Sequence, residues 1–290
     1  MPLTKNEWLA LEKKAHELRK LCLDTTYWAG SAHIGGGLSV MDILTILYHK
    51  YLNIKVDDPC WEDRDRCIVS KGHAGVAYAS VLVDKGFNDH EQLKTFNHSN
   101  SKMGIHLDAN KVVGVDASTG SLGHGMPIAL GTALAARVRD KDYKTYVILG
   151  DGECNEGSNW ESAMAATHYK ATNLISFVDR NYCMIDGKTE DVMGLEPFAD
   201  KWRSFGFLVK EVDGQNFNEL AQAIEFALEN KTDSPVMIIA NTIKGAGIDF
   251  IEGDYRWHYG AFDEDKYNKA KESLDKYYEK RKARVEKEGA

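Results

Sequence analysis

The segment Lys144–Gly187, KTYVILGDGECNEGSNWESAMAATHYKATNLISFVDRNYCMIDG, decides the fold. It divides into an apolar run (Tyr146 to Leu149), a Gly-Asp-Gly turn, a helical stretch, a second apolar run (Leu174 to Val178) and a loop bearing Asn181. Both runs are short and continuous rather than alternating, the pattern of parallel strands covered on both faces. A right-handed crossover joins such strands, and ligands gather outside their carboxyl ends. If the two strands are neighbours, Asp151 and Asn181 leave the sheet one strand spacing apart, roughly 5 Å. A carboxylate and an amide oxygen at that separation can share a small hard cation, and magnesium often completes its oxygen shell with a phosphate. Gly150 and Gly152 clear space for a phosphate against the backbone, and the helix after Gly157 turns a partly positive end toward it. The turn alone fits any tight Gly-Asp-Gly bend. The amide placed one βαβ unit later is what points to a magnesium–diphosphate site.

The 290 residues suffice for one large α/β domain with an ample core. Hydrophobic content of 43% and charged content of 28% are those of an ordinary globular protein. A net charge of −8 argues against nucleic acid or an anionic membrane as the main partner. No apolar run approaches the roughly 20 residues of a membrane span, and the N-terminus lacks a signal-peptide core. Five scattered cysteines without a CxxC pair fit a reduced, cytoplasmic protein with no structural zinc.

Outward from the central unit, Lys5 to Trp28 has the leucine spacing of a long amphipathic helix. A Gly-rich loop carrying His33 follows, and Ser39 reads as the N-cap of a second helix with Asp42 in its first turn. A short strand, Arg66 to Val69, leads into SKGHAG, so that His73 stands where strand gives way to helix. Residues Asn97 to Val115 show no periodicity and contain His106; long irregular stretches of this kind are usually functional. A Gly/Ala-rich helix (Met126 to Arg139) precedes the central unit. After it come a short helix (Pro197 to Phe205), a strand (Phe207 to Val212), a helix (Phe217 to Glu229) and a strand (Val236 to Asn241). A loop with His258 and a charged helix, Lys266 to Lys287, complete the chain; that helix reads as a solvated face or an arm on another chain. The expected division is a single domain over 1–265, with the charged helix over 266–290.

Four of the ten histidines, His33, His73, His106 and His258, thus fall in loops expected at one sheet edge. Any one alone fits an ordinary structural histidine. Four together suggest proton transfer near neutral pH. Zinc is the competing reading, but there is no HExxH and no close His/Cys spacing.

GDGECNEGSNWE followed by DRN resembles the thiamin diphosphate motif of the transketolase family. SAHIGGGLSVMDIL, SKGHA, MGIHLD, STGSLGHG and KGAGIDFIE with WHYG resemble successive motifs of the transketolase N-terminal domain, in the family's order, from about Leu18 to Gly260. The resemblance implies an α/β fold of the thiamin diphosphate-binding, diphosphate-domain type: a parallel sheet with helices on both faces. It implies that Asp151, Asn181 and the carbonyl of Cys183 ligate Mg²⁺, and that His73 and Gly152 contact the diphosphate. Gly120 and Leu122 would line the aminopyrimidine side and Ile185 the thiazolium. His33, His106 and His258 would face the substrate as catalytic groups, stabilising oxyanions and shuttling protons. Glu156 and Glu161 match family carboxylates near the cofactor and the subunit contact. Ala32, His124 and the Asp179-Arg180 pair depart from the family pattern, and His124 and Arg180 bear on substrate positioning.

Full-length transketolases add a pyrimidine-binding domain, whose glutamate activates the cofactor, and a C-terminal domain. The resemblance therefore implies the N-terminal subunit of a split transketolase, transferring a two-carbon ketol unit between sugars together with a separately encoded C-terminal transketolase subunit in an α₂β₂-like assembly. Sugar phosphates and specialised sugars, sulfonated ones included, are both open as substrates. The alternatives are the α subunit of a thiamin-dependent 2-oxo acid dehydrogenase, disfavoured by His33, His106 and His258, and a nucleotide-binding module, disfavoured by the absence of GxGxxG after the first strand.

Overall fold

A computed structural model describes residues 3–288; Met1, Pro2, Gly289 and Ala290, the outermost residues of the expected division, lie outside the described residues. Five strands, β1 (Arg66–Val69), β2 (Thr145–Gly150), β3 (Leu174–Arg180), β4 (Leu208–Asp213) and β5 (Val236–Asn241), form one sheet in the order β1-β2-β3-β5-β4. Every pairing is parallel, and Gly150 lies beside Asp179 at the carboxyl end of β2 and β3. Each residue of β2 and β3 is buried, whereas the edge strand β4 exposes Lys210 and Glu211. Continuous apolar runs belong in central strands covered on both sides, and the edge strand tolerates charge.

The strand period of two sorts side chains between two cores. Tyr146, Ile148, Ile175 and Phe177 join a core on one face, with α1 (Lys5–Trp28), α2 (Ile34–Ile46) and α3 (Gly75–Asp84). Val147, Leu149, Leu174 and Val178 face the other, under α4 (Gly125–Val138) and α5 (Gly157–His168). The single-turn α6 (Thr189–Val192) and α7 (Phe198–Ser204) follow β3. The crossover helix α8 (Phe217–Leu228) lies between β4 and β5, and α9 (Glu264–Glu288) is the last helix.

Two features differ from the sequence expectation. First, α2 begins at Ile34, and its N-cap is His33, six residues before the expected cap Ser39. Gly35, Gly36 and Gly37 form its first turn because the helix is pressed against its neighbours: a Cβ on Gly35 would stand 2.5 Å from the carbonyl oxygen of Trp257. Ser39 and Asp42 are therefore buried inside the helix and serve tertiary contacts. Asp42 receives two hydrogen bonds from Arg19 (3.0 and 2.7 Å) and one from Arg281 (2.7 Å). Second, the charged helix α9 rests along α1 of its own chain. Arg281 is buried between Asp42 and Glu12, so charge alone misstates that helix as fully solvated.

Candidate functional site

The carboxyl ends of β2 and β3 open into a cavity of about 350 Å³. Asp151 leaves β2 and Asn181 leaves β3, next to each other because their strands are neighbours. Among the described residues, four loops bring His33, His73, His106 and His258 to the same cavity. Gly120, Leu122, Gly152, Glu156, Cys183 and Ile185 also line it. Glu161 does not; it is exposed on α5. Exposed His124 caps α4 outside the cavity. Arg180 points away from it, bonded to Glu196 and stacked over the rings of Tyr182 and Phe198. Ala32 pairs its backbone with Gly260.

Asp151 is buried and accepts hydrogen bonds from the backbone N–H of Gly152 (2.8 Å) and Tyr182 (2.7 Å) and from the Thr189 hydroxyl (3.2 Å). Burial, with a further push from Asp179, raises its carboxyl from an ordinary 3.8 to about 6. No cation pairs with it among the described residues, an arrangement that favours a bound cation. The Asn181 amide donates to Ser39 Oγ (3.2 Å), and its oxygen accepts from the N–H of Cys183 (3.2 Å). Lys244 Nζ donates to the carbonyls of Met184 (3.1 Å) and Cys183 (3.5 Å), so these oxygens already attract positive charge. The donors here are all oxygens, a set that would suit a hard cation rather than zinc.

The imidazoles form a cluster around His33, whose ring lies 5.3 Å from His73, 5.2 Å from His258 and 6.3 Å from His106. Burial is the main cause depressing all four, with neighbouring positive charge adding to the effect on His33, His73 and His258. His33 falls to about 4 and His258 to about 3. Neutral imidazoles each offer one N–H and one lone pair. Lys244 fixes which is which at His258: its Nζ lies 3.0 Å from Nδ1. Lys244 is lowered by burial only to about 8, so at pH 7 it remains an ammonium and donates. The His258 proton is thereby assigned to Nε2.

Several site residues were missed in the sequence. Lys71, which lines the cavity, forms a buried network with Asp179, Ser39 and Thr242. Lys71 Nζ donates to Asp179 Oδ2, which also accepts from Ser39 Oγ (2.6 Å), while Thr242 Oγ1 donates to Oδ1 (2.5 Å). Glu153 accepts from the N–H groups of Gly123 and Gly150 (2.9 Å each) and from Ser70, tying three loops together. The available signal was a lysine inside each of two quoted motifs, SKGHA and KGAG. Gly120 marks a close approach: with φ of +146°, a Cβ there would lie 2.6 Å from the His106 ring.

Residues 11–287 match the family model for the transketolase thiamine diphosphate binding domain. The chain belongs to the transketolase family. This transketolase-family chain is 40% identical over 266 residues to the 6-deoxy-6-sulfo-D-fructose transketolase subunit of Clostridium sp. (strain MSTE9), covering 92% of this chain and 96% of that relative. It is 41% identical over 251 residues to an apulose-4-phosphate transketolase subunit of Actinobacillus succinogenes, covering 86% and 90%. The transketolase of Campylobacter jejuni superposes with a TM-score of 0.85 at 30% identity, over 95% of this chain. The chain spans only 45% of that structure. The expected α/β fold, a parallel sheet with helices on both faces, is thereby confirmed. No helix of the described residues is long and apolar enough to cross a membrane.

Proposed function

We propose that this chain is the N-terminal subunit of a two-chain, thiamin diphosphate- and Mg²⁺-dependent transketolase that moves a two-carbon ketol unit between sugars. The observation that carries the reading is one cavity holding both the Asp151/Asn181 pair and four neutral imidazoles. Asp151, the Asn181 amide oxygen and the Cys183 carbonyl would hold Mg²⁺, with His73 and Gly152 on the diphosphate. Gly120 and Leu122 would flank the aminopyrimidine, Glu156 would stand beside the cofactor, and Ile185 would cover the thiazolium. Thiamin diphosphate, when bound, supplies the nucleophilic carbon that breaks and re-forms the carbon–carbon bond. His33 and His106 hold substrate hydroxyls by hydrogen bonds, and His258 presents Nε2–H to the substrate oxygen whose charge changes during cleavage.

The proposed functional unit is the domain over 1–265, with α9 (Glu264–Glu288) along α1 as its buttress. Two features support a second chain supplying the pyrimidine-binding domain in an α₂β₂-like assembly. Relatives of this length are named as subunits, and the fused Campylobacter transketolase has more than twice the length covered here. The exposed apolar side chains of Tyr182, Ile185, Val192 and Met193 border the site and offer that chain a surface. The named sugars of the two relatives favour an anionic ketose substrate over an unmodified one. Five free cysteines support a cytoplasmic location.

Reconstitution tests the reading: this chain with Mg²⁺ and thiamin diphosphate should be inert, and adding the second chain should produce ketol transfer. Decarboxylation of 2-oxo acids without transfer would refute it.

A further inference from the structure

Segments 31–33 and 258–260 run antiparallel beside the cavity mouth. Ala32 and Gly260 exchange two backbone hydrogen bonds, of 3.0 and 2.9 Å. This short pairing puts Tyr259 edge-on to His33, with ring centroids 4.8 Å apart at an interplanar angle of 76°. The other three rings around His33 belong to cavity-lining histidines, whereas Tyr259 does not line the cavity and is 42% exposed. Its hydroxyl meets Ser31 Oγ at 2.9 Å. The pair therefore sits just outside the imidazole cluster.

We propose that Tyr259 and Ser31 are specificity-determining residues that recognise the hydroxyl-bearing carbons of the sugar beyond the two that are transferred. The inference rests on the transketolase reading above and deepens it. Two hydroxyls in contact use one hydrogen between them, leaving one O–H and several lone pairs for a ligand. That mixed donor and acceptor set matches the hydroxyls of a polyol chain. An oxyanion, which only accepts, would use a single hydrogen of the pair. The cations of the site are placed otherwise: Lys71 is bonded to Asp179 and Gly36, and Lys244 to His258 and two carbonyls. The rim therefore reads the sugar's hydroxyls and leaves its terminal anion to other groups. Tyr259 also shields one side of the His33 ring, so the two segments keep the hydroxyl pair in register with the imidazoles.

The test uses the assembled two-chain enzyme with two donors: a ketose phosphate of five or six carbons, and hydroxypyruvate, which has no polyol tail. Tyr259→Phe removes the hydroxyl and keeps the ring against His33. It should lower kcat/KM for the ketose roughly 3- to 10-fold more than for hydroxypyruvate, the worth of one or two modest hydrogen bonds. The loss should appear in KM rather than kcat. Ser31→Ala should show the same bias, and calorimetric cofactor affinity should be unchanged in both. Equal losses for both donors would make Tyr259 a support for His33 and overturn the proposal, as would no loss for either. An unsubstituted assembly that turns over neither donor would instead refute the proposed function, and this inference with it.

Discussion

Asp151→Asn should make the stability of the metal-free protein less dependent on pH. Asp151 is buried with a carboxyl raised from 3.8 to about 6, so the folded state holds its proton more tightly than the unfolded chain does. A raised carboxyl contributes nothing adverse below about pH 3, where both states are protonated. Its cost grows as pH rises through about 6 and is then constant. At 1.36 kcal/mol for each pH unit separating the two values, keeping this carboxylate ionised costs up to roughly 3 kcal/mol at pH 8. Asparagine is uncharged and removes that pH-dependent cost, but its NH₂, which lacks the lone pairs of a carboxyl oxygen, must face the N–H of Gly152 or Tyr182 at a pH-independent cost of about 1–3 kcal/mol. For a chain of this length, unfolding entropy near 2.1 cal/mol/K per residue converts that pH-dependent span into about 5 °C in Tm. Differential scanning calorimetry in EDTA should show the variant's Tm rising relative to wild type by that increment between pH 3 and pH 8, with about half of it reached by pH 5. With Mg²⁺ and thiamin diphosphate present the wild type should rise by mass action, by roughly 2.7 kcal/mol at a hundred times Kd, while the variant stays put. A variant whose Tm relative to wild type is the same at pH 3 and pH 8 in EDTA, or that responds equally to the ligands, would refute the reasoning.

Three further outcomes follow from the same geometry. His258→Asn should leave cofactor affinity within about twofold and slow ketol transfer in the assembled enzyme by about 10²–10⁴-fold, measured by steady-state kinetics; an unchanged kcat would remove it from proton transfer. Asp42→Ala strands the Arg19 guanidinium and leaves Arg281 with Glu12 alone, and should cost about 3–5 kcal/mol in urea unfolding, whereas a loss under 1 kcal/mol would mean that α9 docks without that cluster. Gly35→Ala forces a methyl to 2.5 Å from the Trp257 carbonyl and should cost about 1–3 kcal/mol by overpacking. A variant as stable as wild type would show the loop that carries His258 to be free to move.

Much of this was legible in the sequence because the relevant physics is local in the chain. The continuous apolar runs fixed β2 and β3 as central strands, and their adjacency brought Asp151 and Asn181 together. The four loop histidines could be grouped because each stands in a Gly-rich segment at an element boundary. What escaped was decided by packing. Ser39 has the side chain of a helix cap, and only the fit of Gly35–Gly37 against the Trp257 loop and α3 extends the helix back to Ile34. Asp179 sits beside Arg180 at the carboxyl end of β3, and its three partners, Lys71, Ser39 and Thr242, come from segments far apart in sequence. The tautomer of His258 depends on Lys244, fourteen residues away on the same loop. In α9 the charged residues concealed a buried Arg281 whose partners lie on α1 and α2.

The central claim is that β2 and β3 end on a single cation that anchors the cofactor's diphosphate. A crystal of the chain with thiamin diphosphate and Mn²⁺ in place of Mg²⁺ tests it most directly, through the anomalous signal of the metal. The account predicts one peak, in contact with an Asp151 carboxylate oxygen, the Asn181 amide oxygen and the Cys183 carbonyl. A peak among the histidines, or a diphosphate held with no metal between Asp151 and Asn181, would contradict it.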